Sequence, residues 1–207
     1  MRYSTVSTVC YFTLTISSFG IAITTDFDTK LSVKFLDFAA AAYAENTEPC
    51  LSQNNATQVL RIALPCDYMK DECWGIVALT SDWIITSFRG TRTKIQLITE
   101  LIETMSEPKK LLSSGGSVQH YFYVALKSIW TPIHNTIKKL SKKHECKFAI
   151  CNNCQEYPTH KIMFTGHSLG GALASLASTL FAHRYPGLRE RHYIYFTAHK
   201  QLSMMCH

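Results

Sequence analysis

Residues 166–171 (GHSLGG) combine the residue types and the spacing that acyl transfer by a serine hydroxyl requires. Ser168 follows Gly166 by two positions and precedes Gly170 by two. A serine nucleophile must project from a sheet on a tight, strained turn. Glycines permit that turn because a Cβ at those positions would collide with the neighbouring strand and helix. The spacing therefore predicts that Ser168 is a nucleophile that attacks an acyl carbon.

The segments on either side of this motif favour the same interpretation. Residues 161–165 (KIMFT) predict a short buried strand, and residues 172–183 predict an apolar helix. The turn then places Ser168 at a helix N-terminus, where the amide of Leu169 and the positive end of the helix dipole can stabilise an oxyanion. The alternative is a glycine-rich turn in which Ser168 only caps the helix.

The remaining segments alternate between strand and helix patterns. In chain order they predict a helix at 31–45, a loop at 46–71, a β-hairpin at 75–79 and 83–88, a Gly/Ser turn at 113–117, a helix at 118–144 interrupted near Pro132, and a strand at 192–196. Strands that alternate with helices predict an α/β fold with parallel strands. The 207 residues, 46% hydrophobic and 17% charged, suffice for one globular domain with a real core.

The N-terminal residues have the pattern of an export signal. Arg2 supplies a positive start, residues 6–23 are mainly apolar, and Gly20 and Ala22 are small enough for cleavage. This pattern predicts a signal peptide at 1–22, a mature domain at 23–207 and a secreted, extracellular protein. An uncleaved anchor is the alternative.

The cysteines agree with export. The chain has eight, and Cys10 would leave with the signal peptide. Cys50, Cys66 and Cys73 lie close together in the sequence and are predicted to form disulfides, although their partners are left open. The sequon that begins at Asn55 predicts glycosylation of that residue in an exported chain.

The chain carries a formal net charge of +6, with basic residues clustered at 138–143 and at 184–191. Such a surface could attract nucleic acid or an anionic membrane. No nucleic-acid-binding motif accompanies the charge, so the clusters are interpreted as solvated helix faces and no nucleic-acid partner is expected.

Two segments together resemble the fungal-type lipases, the class 3 lipase family. They are residues 164–174 (FTGHSLGGALA) and residues 87–91 (SFRGT). Residues 39–43 (AAAAY) and the spaced cysteines are most similar to the nematode branch of that family. The resemblance extends over about residues 31–144 and 156–196. It implies an α/β-hydrolase-like fold, with a mixed, mostly parallel sheet flanked by helices and with its C-terminal part missing.

The resemblance also implies roles for individual residues. Ser168 would be the nucleophile, and Thr91 and Leu169 would form the oxyanion hole. The segment from Arg92 to about Met105 would be a lid that opens at a lipid surface and contacts substrate through its apolar side chains, namely Ile95, Leu97, Ile98 and Leu101. An ordinary core-facing helix is the alternative for that segment. His167 is expected to be a hydrogen-bonded packing residue and not the catalytic base.

The chain departs from the family pattern after Ser168. In this fold the acid and then the histidine follow the nucleophile. Here no Asp follows Ser168, and Glu190 is the only acidic residue downstream. Residues 197–207 are predicted to form a divergent tail, and residues 145–155 are predicted to form a Cys-rich insertion. The insertion could be a disulfide loop, a retained segment, or a zinc site formed by Cys146, Cys151 and Cys154 with His144 or His160.

Two hypotheses follow from this pattern. The first is a secreted triacylglycerol lipase or carboxylic ester hydrolase of lipid metabolism that acts at a lipid–water interface. It needs no metal or organic cofactor, and the sequence implies no obligate protein partner. The second is a catalytically impaired, truncated lipase homologue that only binds lipid. The downstream residues favour the second hypothesis, and the Ser168 motif favours the first.

Overall fold

The computed structural model describes residues 29–66, 72–91, 109–141 and 159–187, together with the backbone of residues 192–197. The predicted signal peptide (1–22), the lid residues Ile95, Leu97, Ile98 and Leu101, the insertion (145–155) and the tail beyond Thr197 lie outside these ranges. The helices are α1 (Thr29–Ala41), α2 (Glu48–Gln53), α3 (His120–Ser141) and α4 (Leu169–Arg184). The strands are β1 (Thr57–Pro65), β2 (Glu72–Leu79), β3 (Trp83–Phe88), β4 (Lys109–Leu111), β5 (Ser117–Gln119), β6 (Lys161–His167) and β7 (His192–Thr197).

Five of the described strands form one mixed sheet in the order β1-β2-β3-β6-β7. The β1–β2 and β2–β3 pairs are antiparallel, and the β3–β6 and β6–β7 pairs are parallel. Phe88 at the end of β3 is paired with Gly166 of β6, so the carboxyl ends of these two strands meet at one edge of the sheet. Ligands of open α/β sheets bind outside the carboxyl ends of the strands. A functional site is therefore expected at this edge.

Helices cover both faces of this sheet. On one face, α3 and α4 pack over the side chains of Val77, Ile84, Ile162 and Phe164. On the other face, α1 and α2 pack over Ile76, Ile85 and Met163. Strand β3 is buried along its whole length. A strand covered on both faces has no side that faces water, and even its two polar residues, Thr86 and Ser87, are buried.

The hairpin at 75–79 and 83–88, the nucleophile-segment strand and the helix after it were all predicted in type and place, and the structure confirms them. The prediction of a loop over 46–71 was wrong, since this region contains α2 and β1. Pro49 lies in the first turn of α2, where the missing N–H costs nothing. Strand β1 has exposed ends and a half-buried middle, so it lacks the alternation that marks a strand.

Helix α3 is continuous through Pro132, so the interruption predicted there was wrong. Three isoleucines on its inner face, Ile129, Ile133 and Ile137, are fully buried against the sheet. Their burial holds the helix together where the proline removes a hydrogen-bond donor. The predicted Gly/Ser turn at 113–117 connects two short strands, β4 and β5, that were not foreseen.

Cys66 and Cys73 form a disulfide that joins the end of β1 to the start of β2, with their Cα atoms 5.5 Å apart. Cys50 is disulfide-bonded as well. The expectation that these three cysteines form disulfides is therefore confirmed. None of the helices in the described ranges has the combined length and apolar character that crossing a bilayer requires.

Candidate active site

Ser168 occupies the turn between the end of β6 and the start of α4, with φ 55° and ψ −122°. This backbone conformation is costly for a residue with a side chain. Only Asn55 shares a positive φ among the described non-glycine residues. The Ser168 side chain is exposed and makes no capping hydrogen bond to α4. A serine that only caps the helix would make that bond, so the capping alternative is wrong.

Two glycines make this turn possible. A Cβ on Gly166 would meet the backbone of Gly170 and would lie 2.9 Å from the nitrogen of Gly171. A Cβ on Gly170 would meet the carbonyl group of Phe88, with 2.8 Å to its carbon. Backbone atoms cannot move aside as a flexible side chain can, so both positions require glycine. The turn is therefore held close to the end of β3.

The segment after β3 lies directly beside Ser168. A Cβ on Gly90 would lie 3.3 Å from the Cβ of Ser168 and would also meet the carbonyl oxygen of His167. Thr91, the next residue, is half-buried. The structure thus places Gly90, which precedes Thr91, beside Ser168, and the oxyanion-hole roles of Thr91 and Leu169 stay a prediction. Leu169 is buried and is the first residue of α4, so its amide belongs to the unpaired first turn of that helix.

His167 is hydrogen-bonded, as expected from the sequence. Its Nδ1 lies 3.0 Å from the hydroxyl oxygen of Tyr43, and the two rings are 6.1 Å apart, centre to centre. The Tyr43 hydroxyl also lies against Gly90. Tyr43 belongs to the family-like segment at 39–43, but that segment alone does not predict this contact. Tyr43 and His167 are 124 positions apart, so no local pattern could reveal it.

Arg89 anchors the start of this segment. Its side chain is buried, and Nη2 donates to the carbonyl oxygen of Glu72 at 2.6 Å. Its backbone N–H donates to the carbonyl oxygen of Trp74 at 3.0 Å. The guanidinium carbon lies 4.2 Å from the centre of the Trp74 ring. The arginine of the Phe-Arg-Gly motif thus connects the end of β3 to β2.

No cluster of His, Cys, Asp and Glu in the described ranges could hold a metal ion. His160 is one of the histidines of the hypothetical zinc site, and its Nε2 lies 3.1 Å from the carbonyl oxygen of Thr80. The cysteines of that hypothetical site, Cys146, Cys151 and Cys154, fall outside the described residues.

A strand, a tight turn at Ser168 and a helix on a mixed sheet define the α/β-hydrolase class of fold. The model of the family described as Lipase (class 3) matches residues 85–199. The chain belongs to the class 3 lipase family.

A lipase of Caenorhabditis elegans is 28% identical over 162 residues, which are 75% of this chain and 41% of that protein. The Rhizomucor miehei lipase in its native propeptide complex superposes with a TM-score of 0.61 at 19% identity, covering 81% of this chain and 51% of that one. The mono- and diacylglycerol lipase of Aspergillus oryzae superposes with a TM-score of 0.55 at 22% identity, covering 76% and 59%. The two structural likenesses show the fold. The chain thus spans about half the length of these relatives.

Proposed function

We propose that this protein is a lipase-type serine ester hydrolase with Ser168 as its nucleophile. The observation that supports the proposal best is the strained, exposed conformation of Ser168 between two glycines that cannot be replaced. Backbone strain of this kind persists only where the surrounding structure enforces it, and it is concentrated at functional sites.

In the proposed reaction, Ser168 Oγ forms a bond to the carbonyl carbon of an ester while a base takes the hydroxyl proton. The carbonyl oxygen becomes an oxyanion, which the amide of Leu169 and the amide and hydroxyl of Thr91 stabilise. Collapse breaks the ester C–O bond, and the alcohol leaves with the proton. Water then hydrolyses the acyl-enzyme by the same steps, which releases the fatty acid and restores Ser168. In this fold the base and its acid follow the nucleophile along the chain.

The proposed substrates are triacylglycerols and related carboxylic esters at a lipid–water interface. Fungal relatives of the same fold are described as a triacylglyceride lipase and as a mono- and diacylglycerol lipase. The lid residues Ile95, Leu97, Ile98 and Leu101 would meet the acyl chains, because an amphipathic segment favours a lipid surface over water.

We further propose that the protein is secreted. The Cys66–Cys73 disulfide supports this, because disulfides persist in oxidising compartments. Asn55 is exposed in the turn before β1 and is therefore accessible for glycosylation. After expression in a secretory host, the protein should be found in the culture medium. Its electrophoretic mobility should change on enzymatic deglycosylation and in the variant Asn55→Gln. Retention of the chain inside the cell, without glycan, would contradict the proposal.

Hydrolysis by three matched proteins tests the activity. The wild-type chain should cleave medium- and long-chain esters, and Ser168→Ala should lower kcat by about 10⁴-fold or more. Ser81→Ala changes an exposed serine in the turn at the opposite end of β3 and should retain wild-type rates. Equal rates in Ser168→Ala and wild type would exclude this nucleophile. Binding to lipid vesicles without hydrolysis by the wild-type chain would instead favour the impaired, lipid-binding homologue.

A further inference from the structure

We propose that Trp74, which is stacked with Arg61 and Arg89, is a positioning residue that holds the Gly90–Thr91 segment at its distance from Ser168. This inference rests on the proposed function, since it assigns Trp74 a role in the same reaction. Trp74 belongs to neither of the two core clusters of the described residues, so packing of the hydrophobic core does not account for it.

Both arginines contact the same indole ring. The guanidinium carbon of Arg89 lies 4.2 Å from the ring centre, and that of Arg61 lies 4.7 Å from it. Arg61 is in β1, Trp74 is in β2 and Arg89 follows β3, and these strands are consecutive in the sheet. The ring therefore stands between the strands that carry the two cations. A cation within about 6 Å of an indole centre is attracted by the ring's quadrupole.

The indole is itself fixed at its edge. Its Nε1–H donates to Oε2 of Glu72 at 2.9 Å. Cys73, which lies between these two residues, is covalently bound to Cys66. The strand segment that carries the ring is thus restrained by a hydrogen bond and by a disulfide. A rigid ring limits the movement of the cations that stack on it.

Arg89 links the stack to the Ser168 site through the next residue, Gly90. Arg89 is buried, bonded through its side chain to Glu72 and through its backbone N–H to Trp74. Gly90, the next residue, is packed so tightly beside Ser168 that a Cβ would lie 3.3 Å from the serine Cβ. A displacement of Arg89 would therefore shift Gly90 and the amide of Thr91, the proposed oxyanion donor.

Arg61 links the stack to a second segment of the site, the residues that follow Tyr43. Arg61 donates through Nη2 to the carbonyl oxygen of Ala44 at 2.9 Å and through Nη1 to that of Glu45. These carbonyls directly follow Tyr43, whose hydroxyl bonds to His167 beside Ser168. One stack thus connects the two chain segments that flank the nucleophile. Catalytic geometry tolerates little displacement, and about 1 Å can change rates by up to about 10²-fold.

The test compares Trp74→Leu, which removes the π face, with Trp74→Phe, which retains a smaller one, and with Arg61→Gln, which removes one cation. We expect kcat for a soluble ester to fall by about tenfold or more in Trp74→Leu, with KM within about twofold. Trp74→Phe should recover most of that loss. Hydrogen exchange should accelerate at the amides of residues 89–91 while the amides of α3 and α4 stay protected.

Lys161→Met is the matched control. Lys161 is the first residue of β6, at the end of the sheet opposite to Ser168. Its Nζ lies 5.2 Å from the ring centre of Trp83. This variant also removes a cation from an indole, but it should keep the wild-type kcat and the wild-type exchange at 89–91.

The outcomes separate the two proposals. A kcat within twofold of wild type in Trp74→Leu, or a rise in KM alone, would overturn the positioning role. So would accelerated exchange spread through α3 and α4, which would indicate general destabilisation. If Trp74→Leu does not fold, Arg61→Gln decides by the same measurements: we expect a lower kcat and faster exchange at 89–91, and wild-type values of both would overturn the positioning role. If the wild-type chain is inactive, the proposed function fails, and unchanged exchange at 89–91 in the variants would then overturn the positioning role independently.

Discussion

The hydroxyl group of Tyr43 lies 3.0 Å from Nδ1 of His167, the residue that immediately precedes Ser168. This bond ties the turn after α1 to the end of β6. Because His167 and Ser168 share a peptide bond, the contact restrains the backbone from which the proposed nucleophile projects. Tyr43 also fills the space beside Gly90, so it contacts both segments that meet at the site.

Removal of this hydroxyl should therefore affect turnover as well as stability. Tyr43→Phe should lower the free energy of unfolding by about 1 kcal/mol and kcat by up to about tenfold. Tyr185→Phe is the matched control, because it removes a similar bond, 3.1 Å to His134 Nε2. Tyr185→Phe should lower the free energy of unfolding but should leave kcat unchanged. Kinetics and urea unfolding of both variants measure this, and equal effects on kcat would contradict the positional role of Tyr43.

The close approach of the Ser168 turn to β3 predicts a steric effect at Gly170. Gly170→Ala would place its Cβ 2.8 Å from the carbonyl carbon of Phe88. We expect a loss of about 2 kcal/mol or more in unfolding free energy, because backbone must move to relieve the overlap. Gly187→Ala, which meets no atom within 4 Å, should change stability by less than about 0.5 kcal/mol. Equal denaturation midpoints for the two variants would refute the close packing of the turn.

The Cys66–Cys73 disulfide closes a short loop, with a sequence separation of 7. In the chain-entropy description, a loop of this length stabilises the fold by about 2–3 kcal/mol. The double variant Cys66→Ala/Cys73→Ala should lose about that amount in urea unfolding without reductant. Mutation isolates this bridge better than reduction does, since Cys50 is also disulfide-bonded. An unchanged midpoint with an unchanged m-value would show that the bridge does not stabilise the domain.

Cys66 follows strand β1, in the region 46–71 that the sequence wrongly predicts to be a loop. The hairpin β2–β3, strand β6 and helix α4 were predictable because each contains a mainly apolar segment with clear boundaries. Strand β1 was missed because it is an edge strand with exposed ends. The Ser168 turn was predictable from its two glycines. The contact of Tyr43 with His167 was not, because it joins residues 124 positions apart. The contacts of Trp74 were not, because they depend on the order of the strands in the sheet.

His134 predicts a pH dependence of stability. Its ring stacks on Tyr185, with the ring centres 5.8 Å apart. Burial lowers its pKa from 6.5, and the nearby charges of Arg184 and Lys138 lower it further, although a hydrogen bond with Asn135 acts in the opposite direction. Below about pH 6.5 the unfolded chain therefore binds more protons at this residue than the folded chain does. The contribution to stability is complete above that pH and is lost as the pH falls through 6.5 towards the folded pKa.

Unfolding free energies at about pH 7.5 and about pH 5 measure this effect. His134→Phe keeps an aromatic ring but cannot titrate, so the decrease in stability between the two pH values should be smaller than in wild type. His183→Gln, in the last turn of α4, is the control and should leave the decrease unchanged. An identical decrease in His134→Phe and wild type would rule out this residue as the source.

The proposed function requires that the Ser168 hydroxyl is chemically activated, and labelling with an active-site-directed alkyl phosphonate measures this directly. Mass spectrometry of the intact chain and of its peptides should find one phosphonate per molecule, attached to Ser168. The label should be absent from Ser168→Ala and unchanged in Ser81→Ala. An unlabelled Ser168 in the wild-type chain, or equal labelling of Ser168→Ala, would show that Ser168 is not an activated nucleophile.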